Sequence, residues 1–137
     1  MIKFSKTKLN KVAKKYGLAD IYLFGSKITG FQRKDSDLDI GVRFKNNLPE
    51  IEKRGKIYGE LFSDLSVCFE KQKIDLIFIE EAPLHFKFKI VASGQLIYSA
   101  DMKNSLNFIE YVVNYYRDYK YFIDMFFEES LKTSARK

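Results

Sequence analysis

Leu23-Phe24-Gly25-Ser26-Lys27-Ile28-Thr29-Gly30-Phe31-Gln32-Arg33-Lys34-Asp35-Ser36-Asp37-Leu38-Asp39-Ile40 is the stretch that decides how this chain folds. It opens on the end of a short apolar run, Asp20 to Phe24, whose β-formers predict a buried strand entering a Gly-Ser turn. Ten residues after Ser26 the chain resumes as Asp-x-Asp at the start of a second predicted strand, Leu38 to Phe44. Side chains alternate along a strand, so Leu38, Ile40 and Val42 point one way while Asp37, Asp39 and Gly41 point the other. Two carboxylates therefore share one face.

Working outward, Leu9, Val12, Ala13 and Tyr16 recur at helical spacing between Lys6 and Tyr16, with Gly17 as a stop. Lys8, Lys11, Lys14 and Lys15 lie mostly on the opposite side and read as a solvated face, because no aromatic residues are interleaved for nucleic-acid stacking. From Leu48 to about Glu70, Ile51, Tyr58, Leu61, Phe62, Leu65, Cys68 and Phe69 fit a helix that Gly55 and Gly59 weaken. Lys73 to Ile79 is a third strand in which one acid, Asp75, interrupts an apolar run. A short helix after Pro83 ends by Gly94, followed by a small strand Gln95 to Tyr98. Asp101 is placed to cap a last helix, Met102 to Leu131, whose apolar stripe is wide and aromatic. Helices and strands alternate, which predicts an α/β fold: a small mixed sheet with helices packed on it, plus a long C-terminal helix.

The whole chain is 137 residues, the size of one domain with a sizeable core. Within it, residues 1–100 read as the core and 101–137 as an aromatic helix packing on that core or on a partner. The 13 Phe and 9 Tyr demand ring-packed interiors or contact surfaces. A net charge of +6 favours an anionic partner without choosing among nucleotide, nucleic acid or acidic protein. A lone Cys68 forms no internal disulfide and is expected in the core, while His85 is expected on a helix surface or in packing. With no apolar segment of membrane-span length and no apolar leader, the chain reads as cytoplasmic, with no membrane partner.

Each part of the central stretch has a chemical use. Gly25 lets backbone approach a bulky anion, and Ser26 offers a hydroxyl and amide donors to phosphate oxygens. Asp37 and Asp39 can share hard cations that also take ligands from substrate phosphates, which suits a two-metal in-line displacement. Asp75 would complete the metal set next to the attacking hydroxyl and accept its proton. The plainer alternatives are a surface Asp-x-Asp, an ordinary Gly-Ser turn and a solvated edge-strand acid at Asp75. The apolar neighbours of Asp75 argue instead for burial, where an unpaired carboxylate is costly.

Taken together, Gly25-Ser26, ten residues, Asp37-Leu38-Asp39 and then Ile74-Asp75-Leu76 resemble the DNA polymerase beta superfamily of nucleotidyltransferases. The short length resembles its minimal nucleotidyltransferases (MNT), with the likeness running from about Leu9 to Tyr98. The resemblance implies that Asp37, Asp39 and Asp75 hold two Mg2+ ions and that Gly25 and Ser26 hold the phosphates of ATP. Family members often carry a basic residue at the position of Thr29; here Lys27 or Arg33 would substitute in the phosphate clamp. MNT proteins act as antitoxins that transfer AMP to a tyrosine of a HEPN toxin, so the resemblance implies a HEPN toxin as partner. Two alternatives stay open: a binding-only antitoxin with a vestigial site, and a small-molecule, aminoglycoside-like nucleotidyltransferase. A homodimer or hetero-oligomer is compatible with either, and nucleic acid is the least favoured acceptor because no RNA-binding module accompanies the core.

Overall fold

The computed structural model describes residues 2–25, 28, 37–70 and 72–135. Helix α1 spans Lys6–Tyr16, with the Ser5 side chain accepting from the Lys8 amide at 3.3 Å and Gly17 closing the helix at φ 65°. Such a left-handed closing residue is where glycine is favoured. Then follow β1 (Leu18–Phe24), β2 (Leu38–Phe44), α2 (Ile51–Cys68), β3 (Ile74–Phe78), a 3-10 turn (Ile79–Glu81), α3 (Leu84–Ser93), β4 (Gln95–Ser99) and α4 (Met102–Ala135).

The strands form one mixed sheet in the order β3-β2-β1-β4. β1 is antiparallel to both β2 and β4, whereas β2 and β3 run parallel, as the long crossover through α2 permits. The fold is therefore the small mixed sheet with packed helices and long C-terminal helix that the residue pattern predicts. β1 starts two residues earlier than expected, at Leu18, and is buried along its whole length because it is an interior strand covered on both faces.

The larger core lies on one face, where Leu9, Val12 and Ala13 of α1 and Leu61, Leu65 and Cys68 of α2 meet Ile21, Leu23, Leu38, Ile40 and Val42 of the sheet. Tyr16 and Lys15 both donate to Asp64, at 2.6 and 3.0 Å, and tie the two helices together. On the opposite face Tyr22, Phe24, Ile79 and Ile90 form a smaller cluster with Phe86 and Phe108 packed against it. Gly41 lets Ile79 and the Phe24 ring pack closely here, since a side chain would push both back by a few tenths of an ångström.

Three sequence expectations are revised. Helix α2 runs unbroken through Gly55 and Gly59, around which a methyl group would meet nothing within 4 Å. Ile51, expected on its apolar stripe, is the first residue of the helix and is 78% exposed. In α4 the fully buried residues are Ser105 and Val112, with Phe108 and Tyr116 also turned inward; of the stripe its periodicity predicts, Leu106, Ile109, Val113, Tyr116, Ile123 and Phe127, the residues Leu106, Ile123 and Phe127 are exposed. His85 is on the helix surface and Cys68 is buried, both as expected. No helix among the described residues is long and apolar enough to cross a membrane.

Candidate active site

The register of two strands builds the site. Asp39 in β2 is the ladder partner of Asp75 in β3, and Phe24, the last residue of β1, is the partner of Asp39 on the other side. Partners on adjacent parallel strands point to the same face, with backbones about 4.8 Å apart. Because Leu38, Ile40, Ile74 and Leu76 are drawn into the larger core, Asp39 and Asp75 are turned to the opposite face. Asp37 precedes β2 and is exposed; Asp39 is half-buried; Asp75 is exposed.

The exposure of Asp75 corrects one step of the sequence reasoning. Its apolar neighbours do imply burial, but of themselves, on the other face of an edge strand. What singles Asp75 out is its register with Asp39 and not a costly interior position. Asp39 senses the other two: burial, then the charge of Asp75, then that of Asp37 push its carboxyl above the usual range. Tyr58 of α2 stands in the same field, its hydroxyl pushed up by burial and by Asp75 while it donates to the Leu76 carbonyl at 2.6 Å. The sequence reading saw Tyr58 only as part of a helix stripe.

Gly25 follows directly on β1 with φ 90°, a conformation that side chains rarely tolerate. A Cβ there would collide with the Asp39 carboxylate, so glycine is required both by the backbone angle and by the acid beside it. The Ile28 amide bonds back to the Gly25 carbonyl at 3.1 Å, closing a turn after the strand. Ser26, Lys27 and Arg33, expected to hold phosphates, lie outside the described residues, as does Thr29.

The donor set is all-oxygen and anionic, which fits hard divalent ions. The mutual repulsion registered at Asp39 is the electrostatic condition that a cation relieves. Among the described residues, no group of three or more His, Cys, Asp or Glu side chains stands arranged to hold an ion. Asp39 with Asp75, and Asp37 just before the strand, are the residues that would do so, and hard ions there would supply charge neutralisation on a phosphate substrate and activation of a hydroxyl.

One further polar cluster was not anticipated. Asp20, fully buried in β1, is the ladder partner of Arg43 in β2, whose Nε donates to its Oδ2 at 2.6 Å. Ser105 of α4 donates to the other Asp20 oxygen, and Arg43 also donates to Asn104 at 2.6 Å and lies over the Phe108 ring. This cluster pins the start of α4 to the sheet, away from the acids.

Comparison with known families agrees with this geometry. The model of the polymerase beta nucleotidyltransferase family matches residues 7–103. The chain belongs to that family. As a nucleotidyltransferase it uses the family's matched region for its sheet and first three helices, and α4 extends beyond it. No curated protein matches it by sequence. Among solved structures, a toxin–antitoxin complex with AMP-PNP contains a similar chain (TM-score 0.66, 22% identity, 93% of this chain and 98% of that one). A MntA–HepT toxin–antitoxin structure gives a TM-score of 0.62 at 19% identity, covering 92% and 96%. A third similar structure is a tri-AMPylated Shewanella oneidensis HEPN toxin in complex with MNT antitoxin (TM-score 0.62, 19% identity, 92% and 95%). At these identities the likeness establishes the fold, α4 included.

Proposed function

We propose that this nucleotidyltransferase transfers AMP from ATP to a tyrosine hydroxyl of a HEPN-type toxin, with two Mg2+ ions, and thereby neutralises the toxin. The observation that carries the reading is the register of Asp39 with Asp75 on one sheet face, with Gly25 pressed against the Asp39 carboxylate. Gly25 with Ser26 would receive the triphosphate, and Lys27 or Arg33 would clamp it. Asp37, Asp39 and Asp75 would hold the cations. In the reaction the acceptor oxygen attacks the α-phosphorus, a new P–O bond forms, and the bond to pyrophosphate breaks. Asp75, exposed and nearest the sheet edge, takes the hydroxyl proton. Residues 1–100 would carry the chemistry, and 101–137 the partner contact.

The structural neighbours support this reading by what their own complexes contain, an ATP analogue in one and an AMPylated HEPN toxin in another. The test is incubation of the purified protein with α-labelled ATP, magnesium and the product of the adjoining gene. Label is expected on a tyrosine of that product, and Asp39→Asn should abolish it. A second reading, a binding-only antitoxin, is favoured by the exposed aromatic surface of α4. It predicts instead that Asp39→Asn neutralises the partner as well as the parent protein does.

A further inference from the structure

Beyond Asp75, the edge strand β3 borders a cavity of about 410 Å3, walled by Tyr58, Ile77, Phe78, Ala82, Pro83 and Phe86. Ile77 is two residues along β3 from Asp75 and on the same face, a separation of roughly 7 Å. The cavity therefore borders the same edge strand as the acid assigned to the acceptor proton, two residues further along. Its polar lining is already committed. The Tyr58 hydroxyl is held by the Leu76 carbonyl at 2.6 Å, and Glu81 is paired with Arg54 at 2.9 Å. What remains is apolar and aromatic surface, which recognises a ring and not a charge.

The order of strands decides which reactant this cavity serves. Gly25 ends β1, Asp39 lies in β2 and Asp75 in β3, so the phosphate turn and the cavity stand on opposite sides of the central acid. In-line displacement needs the attacking oxygen opposite the departing pyrophosphate. A triphosphate seated on the Gly25 side therefore leaves the β3 side to the acceptor. We infer that the cavity beside β3 receives the ring of an aromatic hydroxyl acceptor, placing its oxygen at Asp75, so that the enzyme prefers phenolic to aliphatic hydroxyls. The inference rests on the transfer reaction proposed above. The balance is unchanged: the phenolic oxygen bonds to the α-phosphorus, its proton goes to the Asp75 carboxylate, and pyrophosphate leaves with the electron pair of the broken bond.

Binding is tested apart from turnover. N-acetyltyrosinamide is titrated into the wild-type protein loaded with magnesium and a non-hydrolysable ATP analogue, with methyl NMR signals of Ile77 and Ala82 as readout. Saturable shifts at these two methyls are expected, and N-acetylserinamide should bind at least about 10-fold more weakly, the discrimination typical of an apolar pocket. Ala82→Phe, which fills the space, should remove the tyrosinamide shift at the Ile77 methyl while analogue affinity stays within about twofold; if that variant does not fold, Ile77→Ala should weaken tyrosinamide binding, read at the Ala82 methyl, in its place. Shifts that are absent, that map elsewhere, or that are equal for the two amides overturn the inference. Failure of the wild-type protein to bind the ATP analogue at all would instead sink the proposed reaction.

Discussion

Asp39 carries the cost of the site. Its carboxyl is raised by burial and by the charges of Asp75 and Asp37, so without a cation its ionised form is disfavoured in the fold. For a carboxyl raised in the folded state, stability is highest below the unfolded value and falls as pH rises through the folded one. Metal-free protein should therefore lose stability as pH climbs from about 4 towards neutrality. Asp39→Asn should flatten that dependence and raise the Tm at pH 7 by about 2–4 °C while removing transfer, the trade expected where a functional group is strained. Magnesium should stabilise the parent protein and lose most of that effect in the variant; thermal melts with and without the ion at pH 5 and 7 decide the point. The alternation that turns Asp39 away from Leu38 and Ile40 was legible in the sequence, because period two is a local property. The fate of single acids in apolar runs was not. Asp20 and Asp75 look alike in sequence, yet Asp20 is fully buried against Arg43 in an interior strand while Asp75 is exposed at the sheet edge. Strand order separates them, and strand order is set by distant pairing.

At the scale of elements, two helices depart from what their composition suggests, for opposite reasons. Helix α2 persists through Gly55 and Gly59 because Tyr58, Leu61 and Leu65 fix its inner side, and both glycines face open space. Alanine at either position fits without contact and should stabilise the protein by about 0.5–1 kcal/mol each, additively, in urea unfolding. Helix α4 is instead held at its start by polar groups. Asp20, Arg43, Ser105 and Asn104 share one network, and the only partners of Asp20's two oxygens are the Arg43 and Ser105 bonds among those described. Arg43→Met leaves a buried carboxylate without its cation and should cost about 3–5 kcal/mol. The double variant Asp20→Leu with Arg43→Met should recover much of that loss, because the uncompensated charge is gone. If the single and double variants are equally unstable, the penalty comes from lost packing on Phe108 and not from charge. Such a network joins residues more than 80 positions apart, which is why helical periodicity located α4 and the inward turn of Tyr116 but not the burial of Ser105.

At the scale of the whole molecule, α4 runs on well past its last inward contact. Its 34 residues extend about 50 Å, and inward contacts end near Tyr116, whose ring stacks on Phe88 at 4.2 Å. From Tyr119 onward Tyr121, Phe122, Ile123, Met125, Phe126, Phe127 and Leu131 are all exposed. A stripe of Phe108, Val112, Tyr115, Tyr119, Phe122 and Phe126 runs at alternating four- and three-residue spacing from the buried root of the helix into this exposed half, so one apolar seam continues past the edge of the protein. An apolar helix surface of that extent is stable in water only when another surface covers it. Ending the chain after Arg117 removes no buried side chain among those described and keeps the Phe88–Tyr116 stack, so the shortened protein should melt within a few degrees of the parent and bind ATP as well. Association with the toxin proposed as its partner, followed by titration calorimetry, should weaken at least about 100-fold, since interfaces depend on a few large aromatic anchors. Transfer of AMP to that protein should fall with it, while transfer to a small phenolic acceptor persists. A shortened chain that still binds its partner fully would place the interface on the body, and the seam would then need a different occupant, a second copy of this chain, detectable as loss of a dimer on truncation.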